Sequence, residues 1–156
     1  MTAMKNSISE VLETMFFLPL DFSDAVNPGE LWGTGRETIV VSRLSFSGPL
    51  AGRFVFFVPQ ELALSLTAGF LGKDKEGISQ DNVAETVKEI INMIAGNTFS
   101  CYDNQAVFNL DIPKLISFDE AMEDDPNLEE EIFISIETLE DQLAVKMVYR
   151  ISNGVS

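Results

Sequence analysis

The chain has 156 residues, 46% of them hydrophobic and twelve of them Phe, and its 10 basic against 25 acidic side chains leave a formal charge of −15. That length and composition suit one globular domain spanning 1–156, with a core large enough to need no staples, and they exclude disorder. An acidic surface opposes nucleic acid and anionic membranes; it favours a partner with a basic or metal-containing patch, although charge of this sign also simply keeps a protein soluble.

The start, MTAMKNSISEVLE, lacks the basic, apolar and small-residue segments of a secretory signal. The longest apolar runs, Arg53–Pro59 and Glu61–Leu71, fall short of the ~20 residues a membrane span needs. Cys101 is the single cysteine and has no internal partner, which suits a reducing cytoplasm. Ser7–Leu18 predicts a first helix, with Ile8, Val11, Leu12 and Met15 as its apolar side, Ser7 and Glu10 as a capping box, and Pro19 as its end. Asp21–Thr34 reads as a loop or short turn around Asn27-Pro28-Gly29; its Trp32 is expected at the rim of the core rather than in an interface. Arg36–Ser47 and Leu50–Val58 read as an antiparallel strand pair joined by Gly48-Pro49.

Pro59 opens a helix through Leu71, with Leu62, Leu66, Phe70 and Leu71 on its apolar side and Gly72 as C-terminal cap. A polar connection, Gly72–Gln80, leads into Asp81–Ser100, an amphipathic helix that Asn82 would cap with Glu85 completing the box. Gln105–Ile112 reads as a strand, Pro113 interrupts it, and Leu115–Phe118 resumes it. Asp119–Glu131 holds eight carboxylates without calcium-loop spacing, so a solvated acidic loop is expected and no metal site. Ile132–Glu137 and Leu143–Ser152 close the chain as a strand pair turned at Leu139–Gln142. Short hairpin connections between strands predict an α+β fold, a mostly antiparallel sheet with packed helices.

The chain contains no histidine, and one cysteine cannot build a thiolate zinc site. This removes the commonest general base and every Ser-His or Cys-His pair. Neither a P-loop nor a G-x-G-x-x-G motif is present. Chemistry must then rest on carboxylates, amides, hydroxyls or groups that a partner brings. The one unusual arrangement lies on Asp81–Ser100. Val83, Val87, Ile90, Ile91, Ile94 and Thr98 share its apolar side; opposite them Glu85, Glu89, Asn92 and Gly96 form a single row at i, i+4, i+7, i+11, flanked by Lys88. Asn and Gly are poor mid-helix residues, the first because its amide competes for backbone hydrogen bonds, the second at up to ~1 kcal/mol against Ala. Their alignment with two carboxylates predicts a face kept for contact. Ser9, Glu13 and Phe16 repeat the spacing of Glu85, Glu89 and Asn92 near the start of the chain. A duplicated ancestor with one decayed site, hence a pseudo-twofold repeat, would leave this pattern.

In KEIINMIAGN, followed by VFNLDIP ending at Pro113, the sequence resembles the CheX branch of the CheC/CheX/FliY phosphatases, which dephosphorylate the response regulator CheY. The resemblance extends over most of the chain in element order, but specific identity lies between Glu85 and Pro113. It implies a CheC-like fold, a homodimer, and a helix face docked over the regulator's phospho-aspartate. Asn92 would position the attacking water, and Glu89 would pair with the regulator's lysine. Mg²⁺ would belong to the regulator, the chain having no cofactor of its own. Glu85, Lys88 and Gly96 would contact the partner; Gly96 equally suits close packing inside the domain. Glu85 stands where the family usually has Ser or Asp, and Phe16, in Asn92's place in the first half, implies one active site per chain. Asn97, nearer the apolar edge, is expected to be a buried, hydrogen-bonded amide. The rival readings are a non-catalytic module that binds a regulator or motor component, and a dimerisation domain whose Glu89 and Asn92 are merely solvated.

Overall fold

In a computed structural model describing residues 2–25, 27–32, 38–103, 105–139 and 141–152, the chain opens with α1 (Thr2–Ser9), continued by a π-helical turn over Glu10–Met15. Then come β1 (Asp21–Ser23), α2 (Pro28–Trp32), β2 (Ile39–Ser47), β3 (Leu50–Pro59), α3 (Gln60–Leu71) and α4 (Gln80–Tyr102). The remainder is β4 (Asn109–Leu110), β5 (Lys114–Ile116), α5 (Phe118–Ala121), β6 (Glu130–Glu137) and β7 (Gln142–Ile151). The strands form one seven-stranded sheet in the order β1-β6-β7-β3-β2-β4, with β5 also on β2, and the pairings are antiparallel. This is the α+β architecture that the hairpin pattern predicts.

The period-two alternation of a strand divides β3 between two cores. Phe54, Phe56 and Val58 point into the larger one, with Leu44 of β2, Val145 of β7 and the apolar sides of α1, α3 and α4. Val55 and Phe57 point the other way, against Phe118 and Ala121 of α5. Burial on both faces explains why β3 is a nearly continuous apolar run. Trp32 closes the rim of the second core, 5.7 Å from the Phe57 ring and edge-on to Phe118 at 6.1 Å.

Several boundaries differ from the sequence reading, each for a physical reason. The first helix begins at Thr2, not Ser7. Ser7 is therefore no cap; it is buried in mid-helix, and its hydroxyl donates to the Ile94 carbonyl of α4 at 2.7 Å. The helix widens into the π turn and ends at Met15, ahead of Pro19. Asp21–Ser23 pairs with β6 instead of staying in a loop. The first part of the Arg36–Ser47 strand, residues 36 and 37, lies outside the described residues. Of Gln105–Ile112 only Asn109–Leu110 pairs with β2; Phe108 instead stacks on Phe99 at 3.9 Å, so aromatic packing takes that segment from the sheet.

The acidic segment is not wholly a solvated loop. Ser117 accepts the Glu120 N–H at 3.0 Å and starts α5, whose Phe118 and Ala121 are buried. Three cations hold this segment on the sheet. Arg43 lies 3.3 Å from Glu120, Arg53 lies 3.9 Å from Asp125, and Lys146, 8% exposed, donates to the Ala121 carbonyl at 3.0 Å.

Burial lowers the Lys146 pKa from its ordinary 10.5; nearby Arg53 lowers it further, while Glu131 and Asp124 act in the opposite sense. A cation whose folded pKa is depressed costs stability while it is charged. The cost is relieved as pH rises from the depressed value toward 10.5. Thermal melts of wild type and Lys146→Met should therefore show the wild type gaining relative stability as pH is raised through that window. Gly52 tests the sheet itself, since a Cβ there would collide with the Val148 carbonyl oxygen of β7. Gly52→Ala should cost about 2 kcal/mol or more in urea unfolding; an unchanged midpoint would contradict the β3–β7 packing.

Candidate functional site

The site is assembled on α4. Ser79 is its N-cap and not Asn82: the Ser79 hydroxyl accepts the Asn82 N–H at 3.1 Å, and the Asn82 side chain accepts the Ser79 N–H at 3.1 Å. Asn82 thus takes the third helical position expected of Glu85, which leaves Glu85 free of any capping duty. From there Val83, Val87, Ile90, Ile91, Ile94, Thr98 and Phe99 are buried as one stripe. Thr98 and Ser7 both donate to the Ile94 carbonyl at 2.7 Å, which ties α4 to α1.

The opposite row is brought together as its spacing predicts. Glu85 and Glu89 are exposed, Asn92 and Gly96 half-buried. Lys88 Nζ lies 3.6 Å from the Glu85 carboxylate, whose side chain is 77% exposed, so this contact is a solvent-screened i, i+3 pair. Neither the Asn92 amide nor the Glu89 carboxylate has a hydrogen-bond or ion-pair partner among the described residues. A half-buried amide that bonds nothing in its own chain retains two donors and an acceptor for something outside it.

At Gly96 a Cβ would meet nothing within 4 Å among the described residues. Packing inside the domain therefore does not demand glycine there. Gly96 borders a small cavity of ≈ 190 Å³ beside Phe99, Ser100, Asp103 and Phe108. Asn97 differs from expectation: it is half-buried and makes no side-chain hydrogen bond among the described residues, because helical rotation sets it at the edge of the stripe. Pro113 is half-buried between β4 and β5, where its missing N–H coincides with the break in pairing to β2.

The echo in the first half does not build a second row. Glu10–Met15 is π-helical, so the i, i+4, i+7 spacing of Ser9, Glu13 and Phe16 no longer follows one α-helical face. Phe16 packs its ring on Phe70, 5.1 Å between centroids.

A family model described as "Chemotaxis phosphatase CheX" matches residues 40–137. The chain belongs to the CheX family. That stretch contains α4 and most of the sheet. Among solved structures the fold is similar to CheX in a CheX–CheY–BeF₃–Mg²⁺ complex from Borrelia burgdorferi, with a TM-score of 0.72, 17% identity, and 96% of each chain covered. It is similar to CheX of Vibrio vulnificus, at TM-score 0.72 and 18% identity, covering 96% of this chain and 95% of that one. A chemotactic CheC-like protein of Shewanella oneidensis gives 0.74 at 18% identity, covering 96% and 97%. No curated protein matches the chain.

Among the described residues no group of three or more His, Cys, Asp or Glu is placed to hold a metal ion. No helix among them is long and apolar enough to cross a membrane. One neighbourhood was not anticipated. Met15, Phe70 and Leu71, all expected on core-facing sides, are exposed and border the Glu85–Glu89 stretch of α4. The only sequence signal was their position at helix ends, where the apolar stripe runs past the sheet.

Proposed function

We propose that this chain is a cytoplasmic phosphatase for the phospho-aspartate of a CheY-like response regulator, acting as one domain over 1–156. The observation that carries the reading is the Asn92 amide, one turn beyond the Glu89 carboxylate on the same outward row, neither of them partnered among the described residues. Membership of the CheX family and the solved CheX–CheY–BeF₃–Mg²⁺ complex of a structural relative support it.

In this reading α4 lies across the regulator's active site. Asn92 enters beside the phospho-aspartate and holds a water in line with phosphorus, one amide group accepting and donating at once. Phosphoryl transfer depends chiefly on positioning and on neutralised charge, so an oriented water is a sufficient contribution. The Mg²⁺ and the cationic lysine are the regulator's. Glu89 pairs with that lysine and sets the docking register. Glu85 adds negative charge where a phosphoryl group would approach, a feature that favours the alternative reading, a module that binds the regulator without hydrolysing its phosphate. Lys88 at 3.6 Å offsets part of that charge. With no internal neighbour at its missing Cβ, Gly96 lets a partner's backbone come close.

The decay of phosphorylated CheY with and without the domain tests the proposal. Wild type should accelerate it; Asn92→Ala should lose about a hundredfold of that acceleration while binding persists, and Glu89→Ala should weaken binding about tenfold. Binding with unaltered decay would leave the module reading standing. The homodimer implied by family resemblance has support in Val107, Leu110, Ile112 and Leu115, exposed along the β4–β5 edge of the sheet. Sedimentation should give twice the 17.3 kDa chain mass, and Ile112→Lys should shift it toward the monomer; a concentration-independent monomer would refute the dimer.

A further inference from the structure

Glu85 and Glu89 form one wall of an open groove of ≈ 430 Å³. The facing wall is apolar: Met15 comes from the π turn, and Phe70 and Leu71 from the last turn of α3. These three are 46%, 48% and 40% exposed. They are large apolar side chains held at the surface by their own elements. Phe70 is fixed by its stack on Phe16. Met15 is fixed by the end of the π turn, where the Leu18 N–H donates to the Leu12 carbonyl at 2.9 Å.

That closure has a conformational cost. Phe17 sits at φ 54, in the left-handed region that a bulky residue enters only under constraint, and the residue is 83% exposed. A π-helical turn and a strained aromatic are thus adjacent in the chain beside this exposed apolar surface. Such distortions concentrate at contact sites.

We infer that this wall is a second docking element, which grips an apolar side chain on the phosphorylated response regulator beside its phospho-aspartate and helps choose the regulator. The inference rests on the phosphatase reading, because Glu89 belongs to both the groove and the proposed catalytic row. Charge complementarity selects the occupant. Lys88 is engaged with Glu85, and Glu89 is unpaired among the described residues, so the polar wall presents negative charge and suits a surface that sets a lysine next to an apolar group. A second copy of a chain carrying −15 would meet those carboxylates with more acid. Exposed apolar side chains that become buried in a partner pocket supply affinity, and the carboxylate supplies register.

The test uses the full chain and CheY of the same organism loaded with beryllofluoride and Mg²⁺. Met15→Gln/Leu71→Gln should raise the dissociation constant, and the CheY phosphate concentration for half-maximal rate, at least about tenfold. Its saturating rate should stay within about twofold of wild type, the reverse of Asn92→Ala. Circular dichroism and melting check that the double variant folds, and Met15→Gln alone, a single change at an exposed position, should show the same direction if it does not. Wild-type affinity in a folded variant overturns the wall and leaves the phosphatase reading intact. Lost affinity in a system where even wild type fails to speed phosphate decay removes the phosphatase reading and keeps the wall. No CheY binding by wild type, or a change in the variants confined to self-association, overturns the inference.

Discussion

The seating of α4 is the constraint on which the other features depend. Its stripe from Val83 to Phe99 fills the space between α1, α3 and the helix-facing side of β2 and β3. Burying each Ile or Val there is worth roughly 1.5–3 kcal/mol, and the stripe contains several. Rotating the helix by one residue would carry Glu89 or, in the other sense, Lys88 into that space, and burying an unpaired charge is costly. The Ile94 carbonyl, accepting from Thr98 and from Ser7 of α1, pins the same rotation by hydrogen bonds. The outward row is therefore rigidly aimed by the core beneath it. On the proposed reading, a face that holds one water against one phosphorus would need that rigidity more than additional chemical groups.

Charge follows the same division. On the sheet's second face Arg43, Arg53 and Lys146 draw the acidic segment around α5 into the structure. On α4 the corresponding neutralisation among the described residues is slight, one screened Lys88–Glu85 contact, and Glu89 is unpaired among them. The acid surplus is thus spent in two ways. Part of it builds the second core's cover, and part stays on the helix face as solvated negative charge. The solved complex of a structural relative contains Mg²⁺; on the proposed reading, a phosphorylated regulator would bring such an ion and a lysine to this face.

Element types were legible wherever local chemistry and burial agree. The β2–β3 hairpin, the Gly72 cap at φ 66, and the two faces of α4 all follow from propensity, positive-φ glycine and helical period. Reading failed where a distant contact outbid a local signal. Ser7 looks like a cap until Ile94 is seen to take its hydroxyl. Gln105–Phe108 looks like strand until Phe99 takes Phe108. Glu85 looks like the partner of a capping Asn82 until Ser79 claims the cap and moves the box back by three residues.

By itself, then, the sequence determined the α+β class, the absence of histidine and with it of any Cys-His pair, and the alignment of Glu85, Glu89, Asn92 and Gly96, because composition and a 3.6-residue period need no third dimension. Tertiary structure decided which of those residues are free. Among the described residues Asn92 and Glu89 are unpartnered, Gly96 has no neighbour at its missing Cβ, and Asn97 has no side-chain hydrogen bond, facts that depend on what packs nearby. It also turned Met15, Phe70 and Leu71 outward. Periodicity assigns a side to a residue, but whether anything covers that side is set by where the neighbouring element ends.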